Sequence, residues 1–377
     1  MSTAVARSPA STAILRALRP WLILALVCAG FSLHPGFART FWTPAYLPNI
    51  LQQAATNIIL AAGLTFVILT GGIDLSVGSI MALCGVALGL TVTAGPPPFM
   101  TLLMAAPLGV AAGWLAARPV VQRGAKLPVV ALTAGVAGLA VTALGGLLLS
   151  RLTAGGIRLE GAILAALAVG LSCGLLNGLV VSIGRVPPFI VTLGMLTAAR
   201  GLTVYATDGN SVSGLPARLG MLGEGPVLVG IAAAVVAGAA LLQTGTRTGR
   251  LIQALGGNEE AARLSGVNVT VSKTLAYVLS GLGAAIAAVV LTAKFQLADT
   301  GAGLGAELHA IAAVVLGGTS LSGGRGSVVG SLVGALTIAV LNAGLVLVGV
   351  KDTLQGVVIG LVIVLAVMID RLQGRGD

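Results

Sequence analysis

Residues 71–79 read Gly-Gly-Ile-Asp-Leu-Ser-Val-Gly-Ser, and residues 317–324 read Gly-Gly-Thr-Ser-Leu-Ser-Gly-Gly. The two stretches share a Gly-Gly-x-x-Leu-Ser-x-Gly pattern, and each lies between long apolar runs. Helix-breaking sequence at membrane depth is tolerated only where the freed backbone groups find protein or a water-filled cavity. A matching pair of interrupted hydrophobic segments is typical of a transport path assembled from two repeats. The repeat therefore predicts broken or half-helices at both places and, with them, a transporter.

The composition is that of a membrane protein. Of the 377 residues, 56% are hydrophobic and 8% are charged, whereas a soluble domain carries about 25% charged residues. Uncharged runs, such as the one between Asp74 and Arg118, are long enough for helices of roughly 20 residues across a bilayer. These runs do not alternate between apolar and polar residues, as barrel strands do. We predict an all-α, polytopic integral membrane protein with about 10–12 transmembrane helices.

The basic residues predict the orientation of the chain. The net charge is +10, but the basic residues lie in short loops between apolar runs, which favours cytoplasmic loops over a nucleic-acid partner. An N-terminus in the cytoplasm satisfies the positive-inside rule. It leaves outside only the following of the 21 Lys and Arg residues: Arg39, Arg151, Arg158, Arg200, Arg218, Lys294 and Lys351. Both termini, including residues 1–19, are then predicted to be cytoplasmic.

The apolar runs predict the positions of the spans. They lie near 20–33, 54–70, 79–95, 100–117, 127–149, 161–183, 187–205, 227–243, 273–293, 308–317, 327–349 and 353–370. The first is predicted to be an uncleaved helix, followed by a loop at 34–37. Segment 308–317 is too short for an ordinary span and predicts a half-helix. A weak internal similarity leaves open both an extra helix pair within 100–160 and a chance resemblance.

Glycines four residues apart predict close contacts between helices in lipid. Such spacings occur at 85–89, 170–174–178, 330–334 and 356–360, although a chain with 55 glycines also produces them by chance. The three cysteines have no metal-ligand spacing, and their odd number argues against a disulfide framework. We predict neither a metal site nor a cofactor.

Residues 244–272 form the longest hydrophilic stretch and are predicted to be cytoplasmic. Asn258 is a good N-cap, and Glu259 and Glu260 follow in the first turn, where the helix dipole favours acids. Gly266 can end the helix in a left-handed conformation. The pattern predicts a short capped helix with a partly apolar face, which suits the groove of another protein. A solvated helical connector is the alternative.

Polar residues within the apolar runs are candidates for a translocation path. Asp74 is the only acidic residue between Arg39 and Glu160, and a carboxylate at membrane depth is costly and usually functional. It could bind backbone groups freed by the adjacent glycines, contact Arg325, contact a sugar hydroxyl, or cap the next span. The full set of path candidates is Gly71, Gly72, Asp74, Ser76, Gly78, Gly317, Gly318, Ser320, Ser322, Gly324, Asn57, Asn177 and Asn342. The three asparagines could equally form hydrogen bonds between helices.

Three motifs in the same order resemble the permease subunits of ribose-type ABC sugar importers. They are the stretch at 71–79, Gly-Asn-x-x-Ala-Ala-Arg-x-Ser-Gly-Val at 257–267, and Gly-Gly-Thr-Ser-Leu-Ser-Gly-Gly-Arg-Gly-Ser at 317–327. Leu-Asn-Ala-Gly-Leu at 341–345 is similar to a late segment of the same family. The resemblance covers roughly 40–95 and 165–370, and three long motifs in order are far more specific than one short pattern.

The resemblance implies a single transmembrane permease domain, 1–377, in a bacterial inner membrane. It implies three protein partners: a cytoplasmic ATPase, a periplasmic sugar-binding protein and a second permease subunit, identical or paralogous. It also implies that 257–267 is the loop that docks on the ATPase. The coupling residues carried over are Gly257, Asn258, Glu259, Ala261, Ala262, Arg263, Ser265 and Gly266.

Two other function classes are less consistent with the sequence. An ion-driven secondary transporter or channel generally carries intramembrane charged or histidine pairs, and these spans are nearly free of them. A membrane enzyme needs a nucleophile with a base, or metal ligands, and the two histidines, His34 and His309, lack such company. The chain has no Gly-x-x-x-x-Gly-Lys-[Ser/Thr] phosphate loop. We therefore expect ATP hydrolysis in a separate subunit.

Overall fold

The computed structural model describes residues 9–122, 127–153, 155–351, 354–362, 364 and 368. Within these residues the chain is built from helices, and its β structure is one isolated antiparallel bridge between Val212 and Ala298. Eight described helices are long and apolar enough to cross a membrane, or nine if a bent pair counts as one span. The prediction of an all-α, polytopic membrane protein is confirmed.

The helix boundaries follow the predicted spans closely. The helices are α1 (Pro9–Ser32), α2 (Pro35–Phe41), α3 (Leu47–Leu69), α4 (Val77–Thr93), α5 (Pro98–Gln122), α6 (Leu127–Leu152), α7 (Leu159–Ser182), α8 (Pro188–Thr207), α9 (Ala217–Gly220), α10 (Gly225–Gly245), α11 (Arg247–Gly257), α12 (Glu259–Leu264), α13 (Val269–Phe295), α14 (Ala306–Leu316) and α15 (Val328–Leu347). Residues 354–362 of the predicted last span are also helical, and most of the remainder lies outside the described residues.

The predicted loop at 34–37 is wrong, because a new helix, α2, begins at Pro35. Proline fits the first turn of a helix, where its fixed φ is suitable and its missing N–H is not needed. The chain bends by 119° between α1 and α2. Stacked rings stabilise the bend, with centroids 5.4 Å apart for Phe31 and Phe37 and 4.3 Å apart for Phe37 and Phe41.

Two short apolar helices adjoin the glycine-rich repeats. Helix α4 has 17 residues and follows the first repeat, whereas α14 has 11 residues and precedes the second. A helix rises 1.5 Å per residue, so α14 extends only about 16 Å and cannot cross a hydrocarbon core of about 30 Å. The half-helix predicted at 308–317 is thus present as α14.

The chain forms two compact units. The first contains Met1–Ile73, Leu228–Ser272 and Leu308–Asp377. In this unit α3 packs along α15, and the Thr65 hydroxyl donates a hydrogen bond to the Ser331 hydroxyl at 2.7 Å. Helix α1 also packs on α15, where Gly344 leaves room for the ring of Phe31.

The second unit contains Asp74–Val227 and Lys273–Glu307. Helices α5 and α6 pack against each other as an antiparallel pair, and α4 packs against α7 and α8. The pair α5–α6 occupies most of the region 100–160. That this pair was added to a shorter ancestral permease stays a prediction.

A glycine stripe joins α7 to α13 inside the second unit. A Cβ atom at Gly170 would collide with Ala285 and with the backbone of Gly281, and one at Gly174 would collide with the Tyr277 carbonyl. At Gly178 the obstacle would be the Cα of Thr274, 2.6 Å away. Small residues allow helix backbones to approach closely in lipid. The predicted role of this glycine series in helix packing is confirmed.

The other predicted glycine pairs differ in their surroundings. A Cβ at Gly334 would collide with the carbonyl of Ala313, so the pair 330–334 brings α14 and α15 together. In the pair 85–89, a Cβ at Gly85 would lie 2.9 Å from the Thr292 hydroxyl. Within the described residues, a Cβ at Gly356 or Gly360 would meet nothing within 4 Å. That last pair is therefore not explained by packing within this chain.

We expect Gly174→Ala to lower the thermal unfolding midpoint of the detergent-solubilised protein, because the added methyl group must push α13 away from α7. Overpacking of this kind costs about 1–3 kcal/mol. The matched control is Gly201→Ala in α8, where an added Cβ would meet nothing within 4 Å. Equal midpoints for the two variants, measured by fluorescence-detected size-exclusion after heating, would contradict the packing role.

Candidate functional site

A fully buried carboxylate lies just after the first glycine pair. The chain from Gly72 to Ser76 is not helical, and Asp74 within it is 0% exposed. Its Oδ1 accepts hydrogen bonds from the Ser76 backbone N–H at 2.9 Å and the Ser76 hydroxyl at 2.5 Å. Its Oδ2 accepts a third from the Ser280 hydroxyl of α13 at 2.8 Å. Three donors compensate in part for the cost of burying a charge.

Asn177 extends this cluster from α7. Its Nδ2 donates to the Ser76 hydroxyl at 2.9 Å, so four polar side chains from three segments form one network. The assignment of nitrogen and oxygen in this amide follows from the hydrogen bonds it makes. We name the four residues, Asp74, Ser76, Asn177 and Ser280, the carboxylate cluster. The structure brings together three of the predicted path residues here and adds Ser280, which the sequence did not single out.

The carboxylate cluster contains polar atoms with unused hydrogen-bonding capacity. The Asn177 Oδ1 and the nearby Tyr277 hydroxyl are buried, and neither has a partner among the described residues. Buried polar atoms of this kind are normally satisfied by ordered water or by a ligand. The arrangement can therefore brace the non-helical segment and also offer contacts to a hydroxyl group.

The carboxylate cluster lies beside the middle of a long helix. Ser280 sits near the middle of α13, a helix of 27 residues. A Cβ at Gly78 would collide with the Gly303 carbonyl and the Glu307 carboxylate. The predicted topology assigns Gly78, at the start of α4, and Gly303 to opposite faces of the membrane, and under that topology their contact predicts that at least one of them reaches into the interior. The full burial of Asp74 favours a role inside the protein over a simple cap at the cytoplasmic surface.

The backbone groups freed at Gly71 and Gly72 are satisfied locally. Their N–H groups donate to the carbonyls of Ile68 and Val67 in α3, at 2.9 and 3.1 Å, and Gly71 has a φ of +77°. This is a left-handed helix end that glycine adopts without strain. One prediction was that Asp74 would bind the backbone groups of Gly71 and Gly72. Its carboxylate instead accepts hydrogen bonds from Ser76 and Ser280. Contacts of Asp74 with Arg325 or with a sugar stay predictions.

The second repeat reproduces the side-chain pairing of the first. Ser320 and Ser322 occupy the positions that correspond to Asp74 and Ser76, and their hydroxyls lie 2.9 Å apart. The Ser320 N–H donates to the Arg325 carbonyl at 2.9 Å and closes a tight loop. The predicted candidates Gly317, Gly318 and Gly324 all lie in the connection between α14 and α15, with a φ of +84° at Gly318 and +74° at Gly324. The repeated sequence thus produces a repeated local contact.

Gln243 holds the second repeat in place. Its Nε2 donates to the Gly326 carbonyl at 2.9 Å, and its Oε1 accepts from the Val328 N–H at 2.9 Å. The side chain, which is 4% exposed, satisfies the backbone on both sides of the α15 N-cap, Ser327. Sequence analysis missed this residue. Its signal was an uncharged amide at the end of an otherwise apolar helix.

A second missed residue fixes the loop between α13 and α14. The predicted topology put Arg200 on the outer side without giving it a role, and the structure places it within α8. Its guanidinium donates to the carbonyls of Thr300 and Ala302 at 2.6 and 3.0 Å. A guanidinium presents several donors in a fixed geometry and suits the capture of loop carbonyls. An arginine within an apolar run was the available signal.

The short capped helix predicted after Asn258 is confirmed as α12, and its cytoplasmic location stays a prediction. The Asn258 side chain accepts from the Ala261 N–H at 2.9 Å, as an N-cap does. Gly266 follows the helix with a φ of +82°. Glu260 and Arg263 form an exposed ion pair at 2.7 Å, and this hydrogen bond raises the pKa of Arg263. The local signals of capping and charge were sufficient to predict this element.

Helix α11, immediately before it, was not predicted. Thr246 caps α11 by accepting from the Gly249 N–H at 3.2 Å. Ile252 and Leu255 are buried on one face of α11. The hydrophilic stretch 244–272 is therefore two capped helices and the start of α13. The cap and the apolar face were present in the sequence but were obscured by its high polarity.

The remaining path candidates lie on the packed helices of the first unit. Asn57 is on α3 and Asn342 is on α15. Both amide atoms of Asn57 are buried and have no partner among the described residues. An amide in this condition stays a candidate for contact with water, solute or another subunit.

Comparison with known proteins identifies the family. A family model described as "Branched-chain amino acid transport system / permease component" matches residues 46–152 and 130–367. The ribose import permease protein of Escherichia coli strain K12 is 39% identical over 361 residues, 92% of this chain and 91% of that protein. The corresponding Bacillus subtilis strain 168 protein is 38% identical over 368 residues, 95% of this chain and 94% of that protein.

A protein named for another sugar matches over a similar length. The D-allose transport system permease protein of Escherichia coli strain K12 is 31% identical over 363 residues, 94% of this chain and 91% of that protein. No solved structure matches the chain. The chain belongs to the family of transport-system permease components. Within that class, its resemblance to the permeases of ribose-type ABC sugar importers is confirmed.

We expect Asp74→Asn to lower the thermal midpoint of the purified protein, because one carboxylate oxygen that accepts hydrogen bonds becomes an NH2 group facing hydroxyl donors. An unmatched buried polar group costs about 1–3 kcal/mol. Asp208→Asn is the matched control, since Asp208 is an exposed helix C-cap in the left-handed conformation, which Asn also tolerates. An Asp74→Asn midpoint as high as that of the control would exclude the bracing role of the carboxylate.

Proposed function

We propose that this chain is the membrane-spanning permease of an ABC importer for a monosaccharide or a similar small polyol. The observation that carries the proposal is similarity, over 89–94% of this chain, to permeases named for ribose, D-allose, galactofuranose and fructose. The variety of these sugars supports the class of substrate and leaves the individual sugar undecided. The multi-pass helical fold with two broken repeats supports translocation.

Three partners complete the proposed system in a bacterial inner membrane. A periplasmic binding protein delivers the sugar, a cytoplasmic ATPase supplies the energy, and a second permease subunit completes the path. The sequence has no phosphate loop of the Walker type, which is why hydrolysis is assigned to a separate subunit. The excess of basic residues in the loops on one side supports cytoplasmic termini.

The docking site for the ATPase is proposed to be α12 with its flanking glycines, Gly257 and Gly266. Ala261 and Leu264 are exposed one helical turn apart, and Leu264 is 80% exposed. Ala262 is buried within the chain, so it supports the helix from behind. Exposed apolar residues on a short capped helix suit insertion into a groove of another protein.

The proposed path includes the two glycine repeats and the carboxylate cluster. Non-helical backbone at membrane depth is tolerated where it is held by protein or lines a cavity. The unused hydrogen-bonding atoms of Asn177 and Tyr277 support transient contacts with sugar hydroxyls. An ATP-driven change in the permease would expose such contacts alternately to the two sides of the membrane.

The energy source provides the direct test of this function. We expect proteoliposomes that contain the permease, its ATPase and its binding protein to accumulate a radiolabelled sugar only with internal ATP. A panel of D-ribose, D-allose and D-fructose covers three of the relatives' named sugars. An ATPase-inactive subunit is the control. Uptake that persists without ATP and collapses with an ionophore would establish an ion-driven carrier instead.

We expect Leu264→Asp to reduce co-purification of the ATPase subunit with the permease, because it places a charge in the apolar contact. The matched control is Met221→Asp, which changes a residue of similar exposure, 68% against 80%, on the predicted outer side. The measurement is the molar ratio of ATPase to permease after affinity purification. A normal ratio for Leu264→Asp would exclude α12 as the principal docking element.

A further inference from the structure

Three glycine-rich segments that are distant in sequence meet within the first unit. They are the end of α3 with the first repeat (Leu69 and Gly71), the end of α11 (Gly256 and Gly257), and the second repeat (Gly323 and Gly324). The Gly324 N–H donates to the Leu69 carbonyl at 2.9 Å and ties the two repeats together. We name these six residues the glycine junction.

The contacts in the glycine junction are between backbones. A Cβ at Gly256 would collide with the Leu69 carbonyl and lie 2.5 Å from the Gly324 nitrogen. Gly256 therefore packs against both atoms of the hydrogen bond that joins the repeats, the Gly324 nitrogen and the Leu69 oxygen. A Cβ at Gly323 would lie 2.8 Å from the Gly71 nitrogen and 3.0 Å from the Gly256 carbonyl oxygen.

The positive φ values explain why these positions carry glycine. Gly71, Gly323 and Gly324 have φ values of +77°, +86° and +74°, which other residues adopt only with strain. Gly256 has no such requirement, and its constraint is space alone. Gly256 is thus the position where the contact between segments can be changed without a change in local backbone preference.

We propose that Gly256 transmits movement of the ATPase-docking segment to both glycine repeats at once. The inference rests on the proposed function, because it takes α11 and α12 as the part that the ATPase moves. Packed interiors have low compressibility and transmit strain. No flexible side chain lies between Gly256 and its two neighbours to absorb a displacement. A shift of α11 must therefore displace the Leu69 carbonyl, the Gly324 N–H, or both.

The geometry makes Gly256 a positioning residue and not a binding residue. It acts through the hydrogen bond between Gly324 and Leu69, which sets the separation of the two repeats. An added methyl group would hold them apart and weaken the link between nucleotide state and path geometry. The expected defect is therefore in coupling, with assembly and ATP hydrolysis retained.

The test is the number of sugar molecules imported per ATP hydrolysed in reconstituted proteoliposomes, with radiolabelled D-ribose as the probe. We expect Gly256→Ala to lower this ratio on the order of tenfold, within the usual range for coupling between sites. The matched control is Gly238→Ala in α10 of the same unit, where an added Cβ would meet nothing within 4 Å. The amount of ATPase bound per permease and the thermal midpoint are measured in parallel.

The outcomes separate the inference from the proposed function. Wild-type protein that imports none of the three panel sugars in an ATP-dependent way refutes the function. ATP-dependent uptake by the wild type together with an unchanged ratio in Gly256→Ala refutes only the inference. A loss of uptake that merely matches a loss of bound ATPase identifies a structural role for Gly256 and also refutes it.

Hydrogen exchange of the wild-type complex provides a measurement that needs no variant. We expect the peptide that contains Gly324 to exchange at different rates in the nucleotide-free complex and in the complex trapped with ATP and vanadate. The reason is that the hydrogen bond to Leu69 lies at the proposed point of transmission. A peptide from the middle of α10, around Gly238, serves as reference. Equal exchange of the Gly324 peptide in both states would overturn the inference, even if Gly256→Ala fails to assemble.

Discussion

Backbone hydrogen bonding within an apolar surrounding is the constraint on which the rest of this structure depends. Wherever a helix stops at membrane depth, its freed N–H and C=O groups need partners within the protein. The two repeats solve this in related ways, through left-handed glycine ends and through side chains. Asp74 receives the N–H of Ser76 in the first repeat, and Gln243 bonds both sides of the α15 start in the second. Specific hydrogen bonds therefore stabilise each helix break in a defined conformation.

Glycine has two distinct physical uses in this chain. Along α7 it removes side chains so that α13 can approach, and the glycine spacing predicts such close packing without naming the partner helix. At the glycine junction it permits positive φ values that other residues adopt only with strain, and it permits backbone contacts that a Cβ atom would block. The first use is structural, whereas the second places the end of α11, next to the proposed docking helix, in direct contact with both repeats. This difference explains why glycine spacing by itself did not reveal the junction.

The division of labour in the proposed importer follows from what the chain contains. Its carboxylate cluster and asparagine amides offer hydrogen bonds suited to neutral, hydroxyl-rich solutes. It has a short capped helix, α12, with an exposed apolar residue, Leu264, but no phosphate loop. In the proposed importer, the ATPase acts on the permease by binding α12, and its movement reaches the glycine repeats through backbone contacts at Gly256.

The sequence by itself determined the all-α membrane class, most helix positions, the two breaks and the capped helix α12, because these follow from local composition, hydrophobic runs and capping residues. It also carried the family motifs. Only the tertiary structure placed Ser280 beside Asp74, Gln243 beside the second repeat and Gly256 beside Leu69, since each pairing joins residues far apart in the chain. The α2 helix after Ser32 and the capped helix α11 were missed for a different reason, because their local signals were weak beside stronger neighbours. Local physics fixes which elements form, and long-range packing fixes which side chains and backbones share a site.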